Sequence, residues 1–144
     1  MRPMELYQFG VRLASYANTE AEFRNAIGRV YYGLHHEACR RYFRQEPAAP
    51  SLERGRRHNL LIERFHDPTD ATVNDISNLL RQLSRMRNIA DYELRNTVLL
   101  SRRSLDSNQL MTFALLVADE LLQALETYSP GEASEDSECR VSNR

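Results

Sequence analysis

Apolar residues recur every three or four positions along most of this chain, the period of a helix with one buried face. Phe23, Ile27, Val30, Leu34 and Ala38 form one such stripe. Ile76, Leu79, Leu80, Leu83 and Met86 form a second, and Leu110, Phe113, Ala114, Val117, Leu121 and Leu125 a third. Leu6, Phe9, Val11 and Leu13 predict a shorter helix over residues 4–17, with Pro3 suited to its first turn. The polar residues between the stripes supply start signals. Thr19-Glu20-Ala21-Glu22 is a capping-box pattern opening a helix that can run to about Glu46. Asp70 suits the cap of the second stripe, and Asp106 or Ser107 that of the third.

Two prolines make residues 47–52 a loop, and a short helix is expected from about Gly55 to Phe65, closed by His66-Asp67-Pro68. Residues 95–105 mix β-branched and basic residues without a clean period, so a loop or extended linker is expected there. No alternation is strong enough to place a sheet. The expected fold is all-α: an up-and-down bundle of four main helices plus one short helix, spanning residues 1–128. Residues 129–144 form an acidic tail with too little apolar area to offset the entropy of ordering, and are expected to be disordered.

Composition narrows the chemistry. All 19 basic residues are arginine and none is lysine, against 20 acids, for a net charge of -1. Schiff-base lysine chemistry and the phosphate-reaching lysine of a P-loop are therefore excluded. Anions must be met by guanidinium groups or helix N-termini. The arginines cluster, with seven between residues 40 and 64 against three glutamates, and six between 81 and 103 against Asp91 and Glu93. Such patches suit a nucleic-acid backbone, and equally a solvated surface in a chain that uses arginine throughout. Cys39 and Cys139 make no disulfide framework, and no run is apolar enough to cross a membrane. A reduced, cytoplasmic protein without a membrane role is expected. The histidines lack partners at zinc-ligand spacing, so neither a metal nor another cofactor is expected.

One residue breaks the pattern. Arg87 lies 11 positions beyond Ile76, which at about 100° per residue returns it to within about 20° of the buried stripe. A guanidinium there must be paired, or must face a wet cleft or interface. Asp91 stands at i+4 from Arg87, and Asn88 and Tyr92 form the adjacent i,i+4 pair. By itself this spacing fits an intrahelical ion pair as well as a ligand site. On the preceding long helix Arg29, Tyr32 and His36 share a side opposite Phe23, Ile27 and Leu34. Two partnered sides are expected for that helix, within the domain or across subunits. A plain helical dimer would use Tyr31, Tyr32 and Tyr42 as interface anchors.

These residues carry a resemblance. Arg29-Val-Tyr-Tyr-Gly-Leu-His-His-Glu-Ala38 resembles the Ser-Arg-x-Tyr-Tyr-Ala-x-Phe-His-Ala segment of the HEPN superfamily, the higher-eukaryote and prokaryote nucleotide-binding domains. Arg87-Asn88-Ile89-Ala90-Asp91-Tyr92 resembles the Arg-Asn-x-Ala-Asp-Tyr signature of its small prokaryotic members. Between them, Arg57-His58-Asn59-Leu60-Leu61 and Phe65 resemble the histidine-containing short helix of that family. The three motifs stand in the family's order across residues 4–128.

The resemblance implies an RNA- or nucleotide-directed protein, a homodimer, and a place in toxin–antitoxin or defence systems. Many family members are metal-independent ribonucleases that pair an arginine with a histidine a short spacer later. Here that arginine is Arg87, the polar neighbour is Asn88, and Tyr92 fills the histidine's place with no histidine after it. Metal-free RNA cleavage needs a base for the 2′-hydroxyl, an acid for the leaving group and charge stabilisation at phosphorus. Arg87 can supply only the last, and a tyrosine with an ordinary pKa of about 10 is a poor base at neutral pH. The expectation is therefore a non-catalytic or degenerate binding protein acting with a partner such as a nucleotidyltransferase or a defence ATPase. The alternative is a toxin-type endoribonuclease using Arg87 with His36 or His58. Candidate catalytic residues are Arg87, Asn88, Tyr92, His36 and His58, and candidate binding residues are Arg29, Tyr32, Asp91, Arg57 and Arg85.

Overall fold

A computed structural model of the chain describes residues 1–43, 70–93, 97–100 and 103–128. The expectations for residues 47–68 and for the acidic tail lie outside the described residues. The described helices are α1 (Pro3–Tyr16), α2 (Glu20–Phe43), α3 (Ala71–Tyr92) and α4 (Ser107–Thr127). They form an all-α bundle.

The start signals act as their residue types require. The Glu22 amide donates to Thr19 Oγ1 at 3.2 Å, and that hydroxyl donates to the Glu22 carboxylate at 2.8 Å. Asp70 Oδ1 accepts from the amides of Thr72 and Val73. Asp106 and Gln109 close a reciprocal capping box, each accepting the other's backbone N–H at 2.8 and 2.9 Å. Each cap satisfies amides that the first helical turn leaves without partners.

Glycine decides how the first two helices meet. A Cβ on Gly10 would lie 2.7 Å from the Val30 backbone nitrogen, and one on Gly33 would lie 2.5 Å from that of Tyr7. Only bare backbone allows this approach, and the pairing of 10 with 30 and of 7 with 33 makes α1 and α2 antiparallel. Arg24, early in α2, reaches the Ile89 and Ala90 carbonyls at the end of α3, so that pair is antiparallel too. Arg41, late in α2, reaches the Leu125 carbonyl late in α4, so those two run parallel. The four helices thus alternate up and down.

The core lies where α2, α3 and α4 converge. Ile27, Leu34, Ile76, Leu80, Leu83, Met86, Leu110, Leu121 and Leu125 are all fully buried. The expected stripes need adjustment in two helices. In α1, Phe9 and Val11 are exposed while Gly10, Leu13 and Ala14 are buried, because the close crossing uses a narrow face of small residues. In α4, Phe113 is 42% exposed although it shares the spacing of its buried neighbours.

The expected linker before α4 is instead a hairpin. β1 (Thr97–Leu100) pairs antiparallel with β2 (Arg103–Asp106), with Thr97 opposite Asp106 and Leu100 opposite Arg103. A four-residue strand is too short to display an alternation, and the pairing of the two segments stabilises it. Asp106 both ends β2 and caps α4, so the hairpin runs directly into the last helix.

Candidate functional site

Arg87 stands on the buried face of α3, at the phase counted from Ile76. Its side chain is 11% exposed, on a helix face that otherwise buries Ile76, Leu80 and Leu83. The guanidinium carbon stands 5.1 Å from the ring centroid of Tyr31 and 5.4 Å from that of Tyr32. Those rings meet edge to face at 5.2 Å and an interplanar angle of 64°. Together they form a two-sided aromatic seat, whose negative ring faces attract the cation. Nη1 of Arg87 also lies 3.4 Å from Asp91 Oδ2, a long contact that holds the carboxylate loosely. Among the described residues the buried Arg87 Nε has no hydrogen-bond partner.

The electrostatics follow from this seat. Burial pulls the Arg87 pKa down, but Tyr32, Tyr31 and Asp91 outweigh it and leave the pKa above its ordinary value. The group is a permanent cation. Burial likewise pushes the Tyr31 hydroxyl up to about 12, against the opposing influence of Ser84 and Arg87. Tyr31 is therefore a neutral donor at physiological pH, and no base.

The aromatic row continues along α2. Tyr31 stacks on His35 at 5.8 Å and 7°, and Tyr32 on His36 at 6.4 Å and 26°, each pair one helical turn apart. His35 is buried and His36 half-buried. His36 thus joins the cluster through the ring of Tyr32, while the groups against the Arg87 guanidinium are tyrosines and a carboxylate.

Beside this cluster a cleft of about 410 Å³ opens between α2 and the end of α3. Arg29, Tyr32 and Asp91, three of the expected binding residues, line it together with Arg24, Asn25 and Gly28. Arg29 is exposed and has no ion-pair or hydrogen-bond partner among the described residues. A Cβ built on Gly28 meets no atom within 4 Å, so this wall of the cleft is open.

The remaining expected residues divide. Asn88 and Arg85 are exposed, and Tyr92, at 75% exposure, points away from the buried cluster. Tyr92 therefore stands outside the Arg87 seat, because the face that buries Ile89 and Ala90 turns position 92 to solvent. His58 and Arg57 lie outside the described residues. Tyr31, expected as an interface anchor, is 2% exposed and belongs to the core.

Arg24 is a site residue that pattern reasoning passes over. It is 8% exposed, pairs with Glu20 at 2.8 Å, and donates from Nη1 to the Ile89 and Ala90 carbonyls at 3.2 and 3.0 Å. This contact holds the turn that carries Arg87 and Asp91. The i,i+4 spacing of Glu20 and Arg24 was the available signal, although such pairs are common on exposed surfaces.

Among the described residues no group of three or more His, Cys, Asp or Glu side chains could hold a metal, and no helix is long and apolar enough to cross a membrane. No protein-family model, no curated protein and no solved structure matches this chain.

Proposed function

We propose that the chain is an RNA- or nucleotide-binding protein of the HEPN type, non-catalytic, acting with a partner protein in a toxin–antitoxin or defence-type system. One observation carries the binding reading. Arg87 is sheltered, permanently charged and seated by Tyr31, Tyr32 and Asp91, and on the adjoining cleft Arg29 has no partner among the described residues. Fixed cations beside aromatic faces are what a phosphate and its base require. The described groups against the guanidinium are two tyrosines and the Asp91 carboxylate rather than the histidine that the ribonuclease motif pairs with its arginine, which supports binding over cleavage. The HEPN assignment and the partner rest on the sequence motifs alone.

A second reading keeps one specific support. His36 stacks on Tyr32, whose ring also faces the Arg87 guanidinium, so an imidazole stands one ring away from the cation. An endoribonuclease remains the alternative on that ground.

Titrating fluorescent single-stranded RNA into the full chain and into Arg87→Met, in EDTA, tests both readings. The expected result is binding by the parent chain, a loss of about tenfold or more in Arg87→Met, and intact RNA throughout. RNA fragments made by the parent chain and abolished in His36→Ala would establish the nuclease instead. No binding by the parent chain would overturn the RNA version.

A further inference from the structure

We propose that the cleft between α2 and the end of α3 is a subsite for one ribonucleotide unit of single-stranded RNA, with Arg29 holding the phosphate and Asp91 reading the 2′-hydroxyl. This rests on the RNA-binding reading above and specifies which part of the strand is held where.

The lining residues divide the labour. At about 410 Å³ the cleft falls near the lower end of small-ligand sites, which run from roughly 300 to 1,000 Å³. That is room for one nucleotide unit. Asn25, Gly28, Arg29 and Tyr32 follow one another at helical spacing along a single stripe of α2, so one wall presents an amide, a gap, a cation and an aromatic face. Arg29 is the anion-binding group because no carboxylate among the described residues neutralises it. Arg24 cannot share that role, since its guanidinium is committed to Glu20 and to two carbonyls of α3.

Asp91 faces Arg29 from the opposite wall. Among the described residues its only partner is Arg87, reached through one oxygen at 3.4 Å. Its remaining acceptor capacity can take a hydroxyl proton. A carboxylate repels phosphate, so a phosphate-bearing ligand that enters this cleft must present a donor to it. The ribose 2′-hydroxyl is such a donor, and it is what separates RNA from DNA.

Gly28 permits a clean test. Its missing side chain leaves open space on the cleft wall, so Gly28→Leu fills the cleft while improving helix propensity. Anisotropy titrations with matched ribo- and deoxyribo-oligonucleotides would be run on the parent chain, Gly28→Leu, Arg29→Ala and Asp91→Ala. The expected result is tighter ribo- than deoxyribo-binding by the parent chain and a loss of about tenfold or more of RNA affinity in Gly28→Leu at an unchanged or raised Tm. In Arg29→Ala the slope of log affinity against log salt should fall by about 0.7, the release from one phosphate of a single strand. In Asp91→Ala, which removes the acceptor, the ribo-to-deoxyribo ratio should fall toward one, which a purely structural role would not produce.

If the parent chain binds RNA and folded Gly28→Leu binds it equally well, the cleft assignment is overturned while the RNA-binding reading stands. If the parent chain binds no RNA, both fall.

Discussion

Gly28 and Gly33 stand five residues apart on α2, and their surroundings assign them opposite roles. A side chain on Gly33 would strike the Tyr7 backbone at 2.5 Å, whereas one on Gly28 would meet nothing within 4 Å. Gly33→Ala should therefore cost about 1–3 kcal/mol by forcing α1 away, despite the gain in helix propensity. Gly28→Ala should stabilise by up to about 1 kcal/mol. Urea unfolding midpoints at constant m-value would check both, and equal shifts would contradict the close crossing. The sequence contains both glycines and cannot tell them apart. Arg87 was legible because its phase on the helix could be counted from Ile76. Its seat was not, since adjacent residues diverge on a helix and nothing local says that both Tyr31 and Tyr32 face the same guanidinium.

At the scale of elements, α3 and α4 end without a basic residue in the last turn. The charge that suits their negative C-terminal ends comes from α2, through Arg24 on Ile89 and Ala90 and through Arg41 on Leu125. Arg24→Ala leaves two carbonyls without their buried donor, and should cost about 1–3 kcal/mol in chemical denaturation. Arg24→Lys should recover only part of this, because an ammonium lacks the planar fork that meets Glu20 and the carbonyls together. Full recovery by lysine would show that charge alone suffices. Helix starts were legible because Thr19, Asp70 and Asp106 bond to amides two or three residues away. The long-range caps at the helix ends, and the pairing of β1 with β2, join residues far apart in the chain or too few to show a period.

For the whole molecule, α2 is the central element, in contact with each of the other three helices. Near its end the buried Glu37 carboxylate accepts from Arg40 at 2.6 Å and from Arg41 at 2.8 Å. Burial raises the pKa of this group, but the hydrogen bonds and charges of the two arginines prevail and hold it below the ordinary glutamate value. A folded-state pKa below the unfolded one adds stability that is present above the unfolded pKa and lost as pH falls through the folded one. Acid should therefore weaken the parent chain more than Glu37→Gln as pH drops from about 5 to about 3. Unfolding free energies at a series of pH values would show the two curves converging, and parallel curves would mean that the pairing contributes nothing.

Sequence alone determined the four described helices, their starts, the buried stripes of α2 and α3 and the anomaly at Arg87. Each depends on a period or on bonds within one helical turn. Only the tertiary structure decided that Tyr31 belongs to the core and seats Arg87, that Arg24 ties down the turn carrying Asp91, that Tyr92 faces solvent, and that Arg29 and Asp91 share a cleft. Those facts depend on how helices lean on one another, which is set by the summed packing of many side chains and the bare backbone at Gly10 and Gly33.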